Sequence, residues 1–331
     1  MQKLTIYDIS RLAGVSITTV SRVLNGNTNV NQETREKVES VIKEHHYIPK
    51  QAARNFVQRE LFAVGLLTDD IRHAYMSEMT YTVNQELEKW KLNTILCNMA
   101  DVEGSFISQV DNLIEKRVNG VVLMGSVFEQ SICKIAIERR YSGIPFVAVN
   151  ANFALPNVRE VMQNQRQGTR DAVRFLYEKG MRRIGWIFSN KSPSDRRKHA
   201  GFLEGMQECR LEARYLWETE AKSLEEGKAA TAALLDRFPD VEAVIYSSDI
   251  LAVGGVHTLH ERGIRIPEQI SVIGFNNSNM AKECWPPLTS IDNQIYESGR
   301  AAAQLMLNML NHQPAESVKL PCGLAVREST R

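Results

Sequence analysis

The stretch DISRLAGVSITTVSRVLNG, residues 8–26, predicts two short helices around a glycine turn. Thr5 and Asp8 have the spacing of a capping box, and the apolar residues that follow share one helical face, which predicts a first helix over about 6–13. The next glycine can end that helix, and Ser16 is a suitable N-cap for a second one. The stretch therefore reads as a helix-turn-helix.

The second helix separates apolar side chains from polar ones. We expect Val20, Val23 and Leu24 to face a small core, closed by a third helix that starts after Asn31 and runs to Tyr47. The side chains expected to point outward are Ile17, Thr18, Ser21, Arg22 and Asn25. Hydroxyls and an arginine crowd a face where Lys and Glu usually lie, which favours a surface for nucleic acid over an ordinary helix pair in a bundle.

The chemistry of this face suits DNA. In the major groove, Arg22 can donate two hydrogen bonds to guanine, worth roughly 1 to 3 kcal/mol of discrimination, while Ile17 and Thr18 can contact thymine methyl groups. Hydroxyl and amide side chains suit phosphate oxygens. Those expected to do so are Ser16, Thr19, Ser21 and Asn25.

Composition agrees with a head that binds DNA and a larger body. The 331 residues, 43 % of them hydrophobic, are enough for more than one domain with a sizeable core. The net charge is only +1, but residues 1–60 hold nine Lys or Arg against six Asp or Glu, so the basic excess lies in the head.

Other classes of protein are disfavoured. The five cysteines are far apart and lack metal-ligand spacing, so we expect neither disulfides nor a zinc site. There is no phosphate-binding glycine loop and no nucleophile elbow, so we expect no enzyme and no cofactor. His257 and His260 lack the spacing of a zinc protease. Without an apolar leader or membrane span, the expected location is the cytoplasm.

From residue 61 onward, short apolar strands alternate with amphipathic helices. Strand-like stretches include LFAVGLL, GVVLMG, PFVAVN, RRIGWIFS, EAVIYS and QISVIGFN. This alternation is typical of parallel sheets with helical crossovers. About nine such units are too many for one comfortable sheet, so the pattern favours two similar α/β lobes.

The head closely resembles the LacI/GalR family of bacterial repressors. The stretch that carries the resemblance is LTIYDISRLAGVSITTVSRVLNGNTNVNQETREKVESVIKEHHYIPKQAAR, residues 4–54. It implies sequence-specific binding of double-stranded DNA by Ile17, Thr18 and Arg22, and a homodimer on a near-palindromic operator. Further contacts, to the DNA backbone, are implied for Tyr7, Ser16, Ser21, Asn25 and Tyr47.

The resemblance divides the chain into three parts. A DNA-binding domain over 1–49 would be followed by a hinge over 50–60 and a core over 61–331. In the family the hinge becomes helical on the operator and inserts an apolar side chain into the minor groove, a role that falls on Phe56 next to Arg54. Because the family's usual residue there is leucine, packing of Phe56 on the core is the alternative.

The body resembles the same family, whose core shares the two-lobed fold of periplasmic sugar-binding proteins. Landmarks are KRVNGVVLM, SSDILAVGG, GIRIPEQISVIGFNN and PPLTSI. The resemblance implies that a small effector binds between an N-lobe and a C-lobe. The expected bounds are 61–161 with 291–322 for the N-lobe, and 162–290 with 323–331 for the C-lobe.

The family's effector positions can be carried over one by one. The usual arginine falls on Lys198, with Arg196 and Arg197 just before it. The usual aromatic falls on Lys222, and two usual carboxylates are amides here. Loop residues after the first strand are further candidates. The full expected set is Arg72, Tyr75, Asn150, Arg196, Lys198, Lys222, Asp249, Asn276 and Asn293, with His73 a weaker addition.

These departures make the expected cleft more positive. Lys and Arg bind anions through charge-assisted hydrogen bonds, which points to a sugar acid or a phosphorylated sugar as effector. The alternative is that Lys222 is only a solvated charge beside a helix. We expect a repressor of a carbohydrate-utilisation operon under allosteric control. Two alternatives stay open: a catabolite-control-type regulator with a phosphoprotein corepressor, and a cytosolic sugar-binding protein without DNA function.

Overall fold

A computed structural model describes residues 5–24, 30–44, 63–99 and 101–331. The chain divides into two compact units, Met1–Phe62 and Ala63–Arg331, which are described separately. Several expectations fall outside the described residues, namely those for the hinge over 50–60 and for Asn25, Tyr47, Arg54 and Phe56. Within the described ranges, no helix combines the length and hydropathy that a membrane crossing requires.

The head consists of three helices, α1 Ile6–Ala13, α2 Ile17–Leu24 and α3 Gln32–Glu44. The Asp8 carboxylate accepts hydrogen bonds from the Thr5 backbone N–H at 2.8 Å and from the Thr5 hydroxyl at 2.6 Å. Gly14 ends α1 in the left-handed conformation, with φ of 64°. The predicted first helix, its capping box and the glycine stop are confirmed.

The core of the head is small. Among the described residues, its buried side chains are Ile9, Ala13, Val20, Val23 and Val38. The inward positions predicted for α2 are confirmed at Val20 and Val23. On α1, Leu12 follows Ile9 at helical spacing, and the predicted apolar face would include it, but it is 49 % exposed. Leu12 lies about 60° around the helix from Ile9, beyond the narrow stripe that two packed helices can cover.

The body contains strands β1 to β12. Their bounds are β1 Ala63–Thr68, β2 Asn93–Asn98, β3 Gly120–Met124, β4 Phe146–Val149, β5 Val158–Gln163, β6 Ile184–Phe188, β7 Leu216–Glu218, β8 Ala243–Tyr246, β9 Ser271–Asn276, β10 Thr289–Asp292, β11 Val318–Leu320 and β12 Gly323–Ala325. They form two sheets, in the orders β11-β5-β4-β3-β1-β2 and β12-β10-β9-β8-β6-β7. The expected pair of α/β lobes is confirmed.

Helices cover both sheets. Their bounds are α4 Ala74–Glu88, α5 Val102–Glu115, α6 Ser131–Arg139, α7 Gln165–Glu178, α8 Pro193–Glu208, α9 Leu224–Arg237, α10 Asp249–Glu261, α11 Asn279–Glu283 and α12 Ile295–Leu310, with a 3₁₀ turn over Ser126–Glu129. Trp90 follows Val83 and Leu87 at helical spacing, but the helix ends at Glu88 and Trp90 is 63 % exposed.

The paired strands are parallel except at one edge. In the N-lobe sheet β1 pairs in parallel with β2 and β3, and the order continues in parallel to β11. In the C-lobe sheet the last strand, β12, runs antiparallel to β10. Each buried strand of four to six residues carries apolar side chains on both faces, as expected where helices cover both sides of a sheet.

The chain passes between the lobes three times. The passages follow β5, β10 and β11, because the strands before and after each of these points lie in different sheets. The family resemblance implies bounds after residues 161, 290 and 322, whereas β5 ends at Gln163, β10 at Asp292 and β11 at Leu320. The carboxyl ends of the parallel strands carry the loops in which ligands bind in such sheets, and this edge of each lobe faces the cavity described next.

Candidate DNA-reading helix and effector cavity

The start of α2 forms a polar, exposed surface. Ser16 accepts a hydrogen bond from the Thr19 backbone N–H at 3.1 Å, so the predicted N-cap is confirmed. Ile17 is 40 % exposed, and Thr18 and Arg22, one helical turn apart, are also exposed. Ser21 is half-buried on the same helix. The first turns of α2 therefore present methyl, hydroxyl and guanidinium groups together.

Tyr7 lies on the neighbouring helix α1 and is 64 % exposed. A tyrosine with so much of its ring and hydroxyl in solvent can reach a phosphate without displacing any core contact. The structure thus leaves Tyr7, Ser16, Ile17, Thr18 and Arg22 accessible to a partner of the head, as the proposed DNA contact requires.

A cavity of about 460 Å³ lies between the two lobes of the body. Most side chains assigned to the effector contribute to its wall. They are Arg72, Tyr75, Asn150, Lys198, Lys222, Asp249, Asn276 and Asn293, together with His73. The structure does not bring Arg196 to this cavity, because its side chain is exposed on α8. Arg196 and Lys198 are two residues apart, and successive residues of a helix point about 100° apart, so the two side chains point in different directions.

Lys198 is the most deeply buried cation of the wall. Its Nζ donates a hydrogen bond to the Ser247 carbonyl oxygen at 2.9 Å and lies 4.0 Å from the centre of the Phe275 ring. Burial, together with the nearby charge of Lys222, lowers the pKa of Lys198 to about 7. The ammonium is therefore poised between its charged and neutral forms near neutral pH.

Lys222 is held by a carboxylate that the sequence did not single out. Its Nζ lies 2.6 Å from Oδ1 of Asp195, a residue that is only 1 % exposed. Burial raises the pKa of Asp195, but the adjacent charges of Lys222 and Lys198 outweigh it and leave that pKa below its ordinary value. Lys222 is thus an ion-paired wall residue rather than a solvated helix flank.

Asp249 is the second buried carboxylate. It accepts hydrogen bonds from the Ser290 hydroxyl at 2.6 Å and from the backbone N–H and hydroxyl of Ser278 at 2.9 and 2.8 Å. Burial raises its pKa to about 6 in spite of these donors. The hydroxyls of Ser278 and Ser290 already donate to both oxygens of Asp249. The residue therefore helps to fix the shape of the cavity wall in addition to offering an acceptor.

A chain of amides and hydroxyls in the cavity wall connects the lobes. Asn293 donates to the Asn276 side-chain oxygen at 3.2 Å and accepts from the Gln165 amide at 3.3 Å. Gln165 in turn accepts from the Ser194 hydroxyl at 2.8 Å, and the Ser194 backbone N–H donates to the Ser126 hydroxyl in the N-lobe. Asn276 has a φ of 114°, a backbone conformation that residues other than glycine rarely adopt.

The charges of the cavity wall are balanced in number. Among the described residues of its wall, four cationic side chains face four carboxylates: Arg72, Lys191, Lys198 and Lys222 against Asp69, Asp195, Glu220 and Asp249. Three of the cations are already paired, with Asp70, Glu220 and Asp195. Counting family positions identified the added lysines but not the carboxylates that pair with them, and the expectation that the cleft is more positive than is usual in the family stays a prediction.

Two buried hydroxyls of the wall have no hydrogen-bond partner among the described residues. They are Tyr75 Oη and Ser248 Oγ. Burial holds the pKa of Tyr75 far above its ordinary value, so its hydroxyl stays protonated and can donate. A buried hydroxyl without a partner loses the hydrogen bonds that water would give it, so a bound molecule with oxygen atoms would satisfy both groups.

Comparison with known proteins agrees with this two-part architecture. Residues 5–50 match the model for bacterial regulatory proteins of the lacI family, and residues 173–330 match the periplasmic binding protein-like domain. Catabolite control protein A of Priestia megaterium is 29 % identical over 99 % of both chains. The proteins named among these relatives are regulators rather than enzymes.

Solved structures show the same fold over nearly the whole chain. The transcriptional regulator CelR in complex with cellobiose is 27 % identical, with a TM-score of 0.70 over 98 % of this chain and 99 % of that one. The Lac repressor dimer bound to operator and the anti-inducer ONPF is 24 % identical, with a TM-score of 0.81 over 99 % of both chains. The chain is thus similar to LacI-family regulators over nearly its whole length, and its head matches the model of that family.

Proposed function

We propose that the protein is a sequence-specific DNA-binding transcriptional regulator that represses a carbohydrate-utilisation operon in the bacterial cytoplasm. The observation that carries this proposal is the exposed face of α2, where Ile17, Thr18 and Arg22 lie in a head that matches the lacI family model. A sugar-binding protein without DNA function would have no use for this head. A small effector in the interlobe cavity would control operator binding.

Each exposed residue of the head has a distinct role in this proposal. Arg22 reads a guanine edge, and Ile17 and Thr18 contact thymine methyl groups. Tyr7 and the Ser16 hydroxyl contact phosphates, which fix the register of the head on the duplex. By the family resemblance, Ser21, Asn25 and Tyr47 add backbone contacts, and Arg54 and Phe56 serve the hinge.

A second copy of the chain is the proposed partner of the body. A surface groove of about 630 Å³ is lined by both lobes, including Ala74 and Glu78 from α4 and Val253 and Val256 from α10. At its rim Trp285 is 74 % exposed, unusual for so large an apolar side chain. A homodimer seated here would contact both lobes of each copy, so the interface would respond to the angle between them.

The effector is proposed to be a carbohydrate derivative of small size. Tyr75 and Ser248 offer free hydroxyls, and Lys198 and Asn150 add donors that suit the oxygens of a sugar. A sugar acid or phosphorylated sugar is the more specific proposal. Its anionic group would have to share Lys198 and Lys222 with Asp195. A cavity wall with balanced charge attracts such a group less strongly than a wall with net positive charge would.

The second candidate is a catabolite-control-type regulator whose corepressor is a phosphoprotein. The similarity to proteins named catabolite control protein A over the full chain favours it. In that case the corepressor would dock on the outside of the body, and small molecules would have weak or no effect on operator affinity.

Two experiments test the proposal. Selection from random duplex DNA with the full chain should enrich a near-palindromic sequence, and failure to enrich any sequence would refute the repressor function. A thermal-shift screen with cellobiose, gluconate and glucose 6-phosphate then tests the effector. Saturation at 100 times the dissociation constant adds about 2.7 kcal/mol to stability, and silence for all three compounds would favour the phosphoprotein corepressor.

A further inference from the structure

Arg197 joins the two lobes beside the cavity. It lies on α8 of the C-lobe, and its guanidinium contacts two residues of the N-lobe. Nη1 donates to Glu129 Oε1 at 2.8 Å, while Nη2 donates to the carbonyl and the side-chain oxygen of Asn150, both at 2.9 Å. Among the described residues, this is the only ion pair between the lobes.

The position of this contact links it to the cavity. Asn150 belongs to the cavity wall and has a φ of 60°, so its backbone is held in the left-handed region that turns its carbonyl toward Arg197. Glu129 also accepts the backbone N–H of Asn152 at 3.1 Å, which ties the same loop to the carboxylate. A molecule bound at Asn150 would thus contact a residue that already accepts hydrogen bonds from Arg197 of the C-lobe.

The contact is also only partly shielded. The side chains of Arg197 and Glu129 are 27 % and 16 % exposed, and Nε of Arg197 is buried without a partner. Such an ion pair is strong enough to favour one arrangement of the two lobes. The Nε donor of Arg197 could find an acceptor in another arrangement of the lobes. A contact of this kind therefore suits a reversible change in the angle between the lobes better than a permanent connection.

We propose that Arg197 is a positioning residue that holds the lobes at their observed angle and transmits occupancy of the cavity at Asn150 to that angle. The proposal rests on the proposed function, because only a regulator with an effector needs this transmission. The effect of Arg197 on the angle between the lobes can be measured on the free chain, without effector or DNA.

Amide hydrogen exchange of the full chain tests the first half. The backbone N–H groups of Ser194 and Asn279 each donate across the lobes, to the Ser126 hydroxyl and the Glu78 carboxylate. In Arg197→Met both amides should exchange about tenfold faster, since lobe opening breaks both bonds at once. Arg197→Lys keeps the charge but not the forked geometry, so its amides should exchange at rates between those of the unaltered chain and of Arg197→Met.

Matched variants separate this role from a general loss of charge or stability. Arg196→Met removes the same charge from the same turn but no interlobe bond, and should leave exchange unchanged. The double variant Glu129→Arg with Arg197→Glu should slow exchange again relative to Arg197→Glu alone. Unchanged exchange at Ser194 and Asn279 in a folded Arg197→Met would overturn the proposal.

Operator affinity tests the second half. With the DNA sequence enriched by selection, Arg197→Met should change the dissociation constant by at least about fivefold, the lower end of typical allosteric couplings, while Arg196→Met should not. Faster exchange with unchanged affinity would overturn the transmission. Absence of operator binding by the unaltered chain would instead count against the proposed function and leave the exchange result standing.

Discussion

Lys222 Nζ and Asp195 Oδ1 lie 2.6 Å apart in the wall of the interlobe cavity, 27 residues apart in sequence. The carboxylate is almost completely buried, and its other oxygen caps the start of α8 by accepting from the Ser192 hydroxyl and backbone N–H. Asp195 therefore serves the helix and the cavity at the same time, and it decides how much positive charge a bound molecule would meet.

Loss of Lys222 should destabilise the core. In Lys222→Ala, Asp195 stays buried with Lys198 as its remaining cation, so we expect the free energy of unfolding in urea to fall by about 2 to 3 kcal/mol, somewhat less than a fully buried pair would lose. The matched control is Lys191→Ala, which breaks the exposed pair with Glu220 and should cause no measurable change. Equal losses in both variants would contradict this account of Asp195.

Lys198 should make stability depend on alkaline pH. Its pKa is about 7 in the folded chain and 10.5 when unperturbed, so between these values the unfolded chain binds more protons. The free energy of unfolding therefore rises with pH across this window, with a slope of up to about 1.4 kcal/mol per pH unit.

Comparison with a variant isolates the contribution of this lysine. In Lys198→Met the group is absent, so the rise between pH 7 and 9.5 should be clearly shallower than in the unaltered chain. Urea unfolding at several pH values measures both slopes, and parallel curves would show that Lys198 does not titrate in this range.

Arg22 should carry specificity for one base pair. In Arg22→Ala, operator binding should weaken by about 1 to 3 kcal/mol, and the preference at one position of each half-site should relax. Lys43→Ala, on α3, removes an exposed charge away from the reading face, so any loss there should be the same for all sequences. Fluorescence anisotropy with operator and single-base variants distinguishes the two, and an unchanged preference in Arg22→Ala would exclude base reading.

Gly201 should be intolerant of any side chain. A Cβ atom there would lie 2.1 Å from the Arg166 carbonyl oxygen on α7, so Gly201→Ala must push two helices apart and should cost about 3 kcal/mol. Gly143 has open space around it, and Gly143→Ala should be neutral or slightly stabilising. Thermal unfolding that ranks the two variants the other way would contradict the observed helix contact.

The head was predictable because its signals are local. The Thr5 and Asp8 capping box, the glycine stop and the alternation of inward and outward residues all act within one or two turns. The two lobes were predictable for a similar reason, since buried parallel strands read as apolar runs between amphipathic helices. The antiparallel edge strand β12 is only three residues long and carries no such signal.

The cavity was harder to predict because its character depends on pairs distant in sequence. Family positions placed Lys198, Lys222 and Asn150 in the wall, but Asp195 looks in the sequence like an ordinary capping residue of the S-P-S-D turn. Its second contact, with Lys222, exists only once α8 and the loop before α9 are brought together. Arg197 likewise gains its role from Glu129, which is 68 residues away.

The three passages of the chain between the lobes limit how such a protein can change by recombination. Each lobe is assembled from separate stretches of the gene, so no single exchange of a coding segment can replace one lobe and leave the other whole. The head, in contrast, is encoded by one continuous stretch. A new operator can therefore be acquired in one genetic event, whereas a new effector must be reached through individual substitutions in the cavity wall.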